Sequence, residues 1–422
     1  MERPKLTGHC RLPASVIDKD EKCQNCHQPG ATKMCSGCKI SDVGSICTRY
    51  CSEACQKQHW SLHKPVCRDR RRLARAVRLL TEIWEAFSTL AYDRYLTYKV
   101  EEDGLMSAHD EPDLAKDLGW TGETIFRNFH ENVVPHGADD GFKQAVLHDS
   151  SCCEILSVGL KLVELFLKPV CCTIQEASVR AKYLAMFIIP PRGVTKDFNS
   201  HWVLRVKVDS GESFAIDIAG AQFGWQEKMY EWDVYVQHRV TLTRRQKLGV
   251  WADFLWAQMM GHESNTIQRQ AYELRREICS TTEVALKAVL VKKNTNVLSL
   301  VSTPNEAAFS AQKTELFDRA VSCIKETIHE ITVVQARGRW YMELKEVAPG
   351  NITVDRKVVD EEGFAKKMEK TYFTPQQIEE LRSLSVGKPG GLEGAMARAM
   401  YLFQKHHDCF GHQGGKARVW NV

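Results

Sequence analysis

Eight of the 16 cysteines of this 422-residue chain lie between Cys23 and Cys67. Seven of them fall into register with one histidine as Cys23-x2-Cys26, Cys35-x2-Cys38, Cys51-x3-Cys55 and His63-x3-Cys67. A segment this short cannot bury an apolar core sufficient to fix its own shape, and a metal is one of the few substitutes. Zn²⁺ takes four thiolate or imidazole ligands in a tetrahedron, at about 2.3 Å for sulfur and 2.0–2.1 Å for nitrogen. A Cys-x2-Cys turn delivers two thiolates to one ion, so two such turns and two further pairs supply two closed tetrahedra. Closed tetrahedra leave no position for water and are structural rather than catalytic. Two zinc ions are therefore expected.

The run from Tyr50 to Cys67, with Tyr50-Cys51-Ser52, Cys55-Gln56, Trp60 and His63-Lys64-x2-Cys67, resembles the second half of a MYND zinc finger. The interleaved arrangement of that family implies that Cys23, Cys26, Cys51 and Cys55 hold one zinc. Cys35, Cys38, His63 and Cys67 then hold the other. The resemblance also implies protein–protein interaction, by docking of short and often proline-containing peptides of partner proteins. Gln56 and Trp60 are candidate contacts, although Trp60 is equally suited to packing on the zinc core. Twelve residues separate Cys38 from Cys51, more than such fingers usually carry. That insert contains Cys47, an alternative third-pair ligand, while His59 lies one helical turn before His63 and is spare. A disulfide framework is the competing explanation, but the N-terminus has no hydrophobic signal region and the other cysteines are scattered as in a reduced protein.

Composition bounds the rest. The chain is 43% hydrophobic and 26% charged, the balance of a globular protein with a sizeable core. No apolar run approaches the ~20 residues needed to span a bilayer, so no membrane partner and a cytoplasmic or nuclear location are expected. A net charge of +4 does not point to nucleic acid. Arg68, Arg70, Arg71, Arg72, Arg75 and Arg78 crowd behind the finger, which can signal nuclear import or a nucleic-acid patch. The alternating Leu73, Val77, Leu80, Trp84 and Phe87 favour a plainer reading, in which the arginines form the solvated face of an amphipathic helix.

The fold class expected is α+β: a small two-zinc module, an α+β core and a mainly helical C-terminal region. The boundaries read as a tail over 1–20, the finger over 21–67, a basic amphipathic helix and linker over 68–125, an α+β domain over 126–240, and helices with a hairpin near 331–359 over 241–422. Within these, Cys153–Leu167 reads as one helix and Ala181–Pro190 as a buried strand. Trp202–Val208 reads as a half-buried strand, turning at Asp209-Ser210-Gly211 into Ser213–Ile218. Helices are expected over 243–260, 265–292, 306–330, 374–385 and 391–407.

A second constellation lies in the core. The hairpin opens at His201 and closes near Asp217, which would set a carboxylate beside an imidazole. Cys152 and Cys153 begin a helix about fifty residues upstream, and residues 150–225 resemble papain-like and transglutaminase-like domains in this order of Cys-helix, strand, His-strand and Asp-strand. Cys153-x3-Ser157 and Asp217-Ile218-x3-Gln222-Phe223-Gly224 carry the likeness, without the usual Gly-x-Cys. It implies a cysteine-dependent hydrolase or acyltransferase using Cys153, His201 and Asp217. The competing reading is a scaffold in which the cysteines are small apolar residues, and the sequence favours it. An Asn-His-Ser methyl-donor run, a phosphate-binding loop, a Gly-x-Ser-x-Gly elbow and a His-Glu-x2-His helix are all absent.

Overall fold

The computed structural model describes residues 22–38, 46–92, 96–100, 106–110, 126, 129, 139–149, 151–182, 188–189, 200–261, 266–335, 340–348 and 351–358. Its organising element is one long helix. Two short strands, β1 (Lys33–Met34) and β2 (Arg49–Tyr50), pair antiparallel in the finger and lead into α1 (Glu53–Leu90). Ser52 starts α1 by accepting a hydrogen bond from the Cys55 amide at 3.1 Å, which satisfies one of the free N–H groups of the first turn. The last zinc ligands and the arginine-rich amphipathic helix thus share a single 38-residue rod, about 57 Å long at 1.5 Å per residue. It stops at Leu90, and a strand runs over Leu96–Val100.

That strand, β3 (Leu96–Val100), pairs antiparallel with β4 (Met106–Asp110) inside the stretch read as linker. Then come α2 (Asp140–His148), α3 (Cys152–Ser157) and α4 (Leu160–Leu167). The single helix expected over Cys153–Leu167 is broken around Gly159. A Cβ there would lie 2.8 Å from the Trp84 ring of α1 and 2.7 Å from Ile155, so the close crossing demands glycine.

Strands β5 (Thr173–Ala181), β6 (Ile188–Ile189), β7 (Ser200–Lys207), β8 (Ser213–Ile216) and β9 (Met229–Glu231) follow, with α5 (Trp232–His238) and β10 (Val240–Lys247). The main sheet runs β10-β5-β7-β8-β9, and every pairing in it is antiparallel. The strand expected from Ala181 therefore sits earlier, and Ile188 and Ile189 pair with β4 instead. Residues 243–247, expected to start a helix, form the outer strand β10. Beyond it lie α6 (Val250–Gly261), α7 (Thr266–Lys292), α8 (Val297–Ser302) and α9 (Glu306–Gln335), with the hairpin β11 (Trp340–Ala348) and β12 (Asn351–Val358). The expected helices near 374–385 and 391–407 and the tail over 1–20 fall outside the described residues.

Both faces of the sheet are covered, so β7 is buried on both sides rather than half-buried. Leu204, Val206, Phe214 and Ile216 join the main core with Leu73, Val77, Leu80, Trp84 and Phe87 of α1, every one of them almost fully buried. Val203, Ala215, Ala177 and Val179 face a second cluster built on Trp225, Tyr230 and Tyr235. Each large apolar side chain so buried contributes about 1.5–3 kcal/mol. Glu176, inside β5, accepts from the Gly249 and Trp251 amides at 2.7 and 2.9 Å and so ties the start of α6 to the sheet.

Two of the six arginines depart from the expected solvated face, while Arg68 stays exposed and Arg71, Arg72 and Arg78 are half-buried. Arg70 is 8% exposed and Arg75 3%. Arg70 holds Glu212 with Nε at 3.0 Å and Nη2 at 2.6 Å, and donates to Thr48 Oγ1 at 3.1 Å. Beside it Asp69 accepts from the Ser210 amide at 2.9 Å. Five residues on, Arg75 donates to the Val301 carbonyl at 3.0 Å and to Glu306 at 2.6 Å, with Phe309 4.5 Å below its guanidinium. Arg70 and Arg75 are therefore internal fasteners. They pin α1 to the β7–β8 turn on one side and to α8 and α9 on the other.

Candidate metal centre and a second cysteine–histidine cluster

The turns at Cys23–Cys26 and Cys35–Cys38 and the start of α1 fold the eight expected ligands into two groups. Cys23, Cys26, Cys51 and Cys55 form one, and Cys35, Cys38, His63 and Cys67 the other; in each, all ligand atoms lie within 4.8 Å of one another. Two thiolates sharing a zinc at about 2.3 Å should stand about 3.8 Å apart, and a thiolate and an imidazole nitrogen about 3.6 Å. The observed separations are 3.6 Å for Cys26–Cys51, 3.5 Å for Cys51–Cys55 and 3.9 Å for Cys35–Cys67. Cys38 Sγ lies 3.5 Å from His63 Nε2. These are the edges of tetrahedra, far too long for disulfides. Both groups fit Zn²⁺, which supplies cross-linking here and no catalysis.

The interleaving works because His63 and Cys67 lie four residues apart on one face of α1, as do Cys51 and Cys55 across its first turn. The second group is buried throughout, whereas in the first Cys51 is exposed and Cys26 and Cys55 are half-buried. Cys47 belongs to neither group. His59 is engaged otherwise, its Nδ1 3.0 Å from the Tyr50 hydroxyl. Gly37 is needed by closeness alone, since a Cβ there would approach Cys67 Sγ to 2.8 Å. Trp60 sets one edge against the His63 ring at 6.0 Å, yet remains 43% exposed.

A second cluster lies in the sheet. His201, at the start of β7, and Asp217, just past β8, are buried and meet at 2.8 Å between Nε2 and Oδ1. The other carboxylate oxygen accepts from the Tyr235 hydroxyl of α5 at 2.9 Å. After Asp217 the chain makes a tight turn over Gly220–Phe223. A Cβ on Gly220 would sit 2.8 Å from Asp217 Oδ2, so only glycine lets the turn wrap the carboxylate this closely. The turn carries Gln222 back until its Nε2 is 3.3 Å from His201 Nδ1, and Phe223 places its ring edge-on to the imidazole at 4.9 Å.

Cys152, the first residue of α3, is the thiol whose electrostatic interaction with His201 helps to raise the imidazole's pKa. The sulfur of Cys153, the expected nucleophile, lies 4.0 Å from that of Cys152, and that neighbouring thiol, then burial, push its pKa up. Cys152 is held well below the usual thiol range, foremost by the Cys153 hydrogen bond, with His201 adding to it against the cost of burial. For His201 burial opposes the charge, but the Asp217 carboxylate and then Cys152 outweigh it and raise its pKa to about 10. Asp217 is lowered despite burial, through His201 and Tyr235. Gln222 was legible in the quoted run; Tyr235 carried no local signal, because it arrives from a separate helix.

Comparison with known proteins bears on the finger. Residues 23–67 match the family model for the MYND finger. Over 45 residues the chain is 44% identical to Dauer abnormal formation protein 25 of Caenorhabditis elegans, a stretch that makes up 11% of this chain and 10% of that protein. The chain thus spans about a tenth of the length of that curated relative. No solved structure matches the chain. Among the described residues, no helix is long and apolar enough to cross a membrane.

Proposed function

We propose that the zinc finger is a docking module for short, proline-containing segments of partner proteins. The exposure of Trp60 directly over the buried zinc quartet carries this reading. Gln56 and Trp60 stand one helical turn apart on α1 and share a face, so an aromatic ring lies beside a carboxamide. Proline-rich segments are pre-extended and lack N–H groups, so they offer pyrrolidine rings to stack on an aromatic and carbonyls to accept from an amide. Two zinc ions keep this face rigid, and the Arg70–Glu212 and Asp69–Ser210 contacts fix it relative to the core. A partner therefore meets an immobile platform and loses little entropy in ordering it.

Binding of fluorescent proline-containing peptides to the zinc-loaded full chain, read by anisotropy, tests this. Trp60→Ala should weaken binding by about tenfold, the scale of a lost aromatic anchor, while the chain keeps two zinc ions. Wild-type protein that binds such peptides no better than zinc-stripped protein would overturn the reading.

A further inference from the structure

We propose that the outer edge of the main sheet, strand β10, takes up an extended acidic segment of a partner protein as a sixth strand. Among the described residues β10 pairs only with β5, so its other side presents main-chain N–H and C=O groups with no ladder partner. Thr241, Thr243, Arg244, Arg245 and Lys247 of this strand are exposed. At the bulge between Leu242 and Arg244, Thr243 is tied back onto β5, its hydroxyl donating to the Ser178 carbonyl at 2.8 Å. Beyond the bulge, Arg244 to Lys247 pair in regular register with Ser178, Ala177, Glu176 and Gln175. Successive side chains leave a strand on opposite faces. Arg245 and Lys247 therefore share one face of the sheet, and Arg244 stands on the other.

Charge selects the occupant. Among the described residues, Arg244, Arg245 and Lys247 have no carboxylate partner. Glu176, opposite Gln246, is already engaged by the Gln246 amide and by the backbone of Gly249 and Trp251. Elsewhere on the sheet the charges are matched: Arg239, just before β10, holds Glu227 at 2.9 Å, and Glu231 of the opposite edge strand lies 3.4 Å from Arg70. A bulge and one lysine suffice to guard an edge against self-pairing, whereas here cations stand on both faces. A second copy of this chain would set like charges opposite one another, which is destabilising. Nucleic acid would meet the cations and leave the backbone groups unsatisfied. A peptide strand with Asp or Glu opposite Arg244, Arg245 and Lys247 satisfies both, its backbone giving affinity and its side chains specificity.

The test titrates the zinc-loaded full chain into a fluorescein-labelled peptide carrying the run Glu-Thr-Glu-Glu, read by anisotropy. In antiparallel pairing this run sets a carboxylate opposite each of the three cations. The run contains no proline, so its failure would leave the reading of the finger untouched. Arg245→Glu should weaken binding by about tenfold or more, the effect of a reversed charge in a complementary interface. Lys247→Glu, on the same face, should act alike, and it decides if Arg245→Glu alters the melting curve. Lys292→Glu makes the same change in net charge at an exposed site on α7 and should leave binding within about twofold. The same peptide N-methylated throughout the run keeps its charges but cannot donate to the edge, and it too should bind about tenfold more weakly. No binding of the unmodified peptide, equal binding of the N-methylated one, or an equal loss from Lys292→Glu would overturn the proposal. So would tighter binding of an oligothymidylate of the same charge, which would make the edge a nucleic-acid surface.

Discussion

The finger and the centre of the sheet both gather cysteine and histidine, yet they are assembled by opposite means. In the finger all eight ligands come from 45 consecutive residues, and short turns and one helix face bring them together. In the sheet the members come from α3, β7, the end of β8, the turn after it and α5. The finger has almost no apolar interior besides its ligands, Ala31 and Tyr50, so metal binding is its folding energy. Structural zinc contributes about 10–16 kcal/mol to such modules. The sheet cluster instead sits inside a large apolar core that needs no metal. Identical residue types can thus be the cause of a fold in one place and be carried by the fold in another.

The largest expected effect follows directly. Cys35→Ser should cut the zinc content from two per chain to one and open the finger to proteolysis, while the sheet keeps its cooperative melt. His201→Gln should do the reverse, leaving both zinc ions and weakening the sheet. Cys47→Ser and His59→Ala should keep both ions, since neither side chain belongs to a quartet. Elemental analysis with limited proteolysis reads all four. A Cys35→Ser chain that retains both ions, or that melts as a whole, would erase the contrast.

Next in size is the coupling between the two regions. Arg70→Ala leaves Glu212 without its partner in a mostly buried place and should cost about 3 kcal/mol in urea unfolding of the zinc-loaded chain. Arg78→Ala breaks a pair with Glu306, whose side chain is 59% exposed, and should cost less than about 1 kcal/mol. Equal losses from the two would mean that the arginine run is a surface after all.

These differences follow how far each feature reaches along the chain. The zinc ligands were legible because their spacing is itself the geometry. The apolar face of α1 was legible for the same reason, since Leu73 to Phe87 recur at helical period. The fate of Arg70 and Arg75 was not, because their acidic and carbonyl partners lie 140 and more residues downstream and no periodicity encodes them. Strand β10 was missed because it is polar and sits at the sheet edge, where Thr241, Thr243 and the bulge between Leu242 and Arg244 were the available signals. His201 and Asp217 were legible as a hairpin pair. The choice between Cys152 and Cys153 was not, since it depends on the angle at which α3 enters against β7.

The smallest effect tests whether Cys152 and His201 share charge. A His whose pKa is raised from 6.5 to about 10 contributes stability that is complete below pH 6.5 and is lost as the pH rises toward 10. A thiol depressed from 9.0 contributes stability that is complete above pH 9 and is lost as the pH falls. Between pH 6.5 and 9 the two contributions have slopes of opposite sign and offset each other. The other groups facing it are Asp217, Tyr235, Lys228 and Cys153, with Glu154 behind Cys153. Asp217, lowered from 3.8, loses its contribution only at more acid pH. Replacing the thiol by a hydroxyl removes one arm of the balance. Wild-type unfolding free energy should therefore be nearly flat across this window, whereas Cys152→Ser should lose stability steadily from pH 6.5 upward. Parallel curves for the two proteins would mean that sulfur and imidazole titrate independently, and that the sheet cluster is only packing.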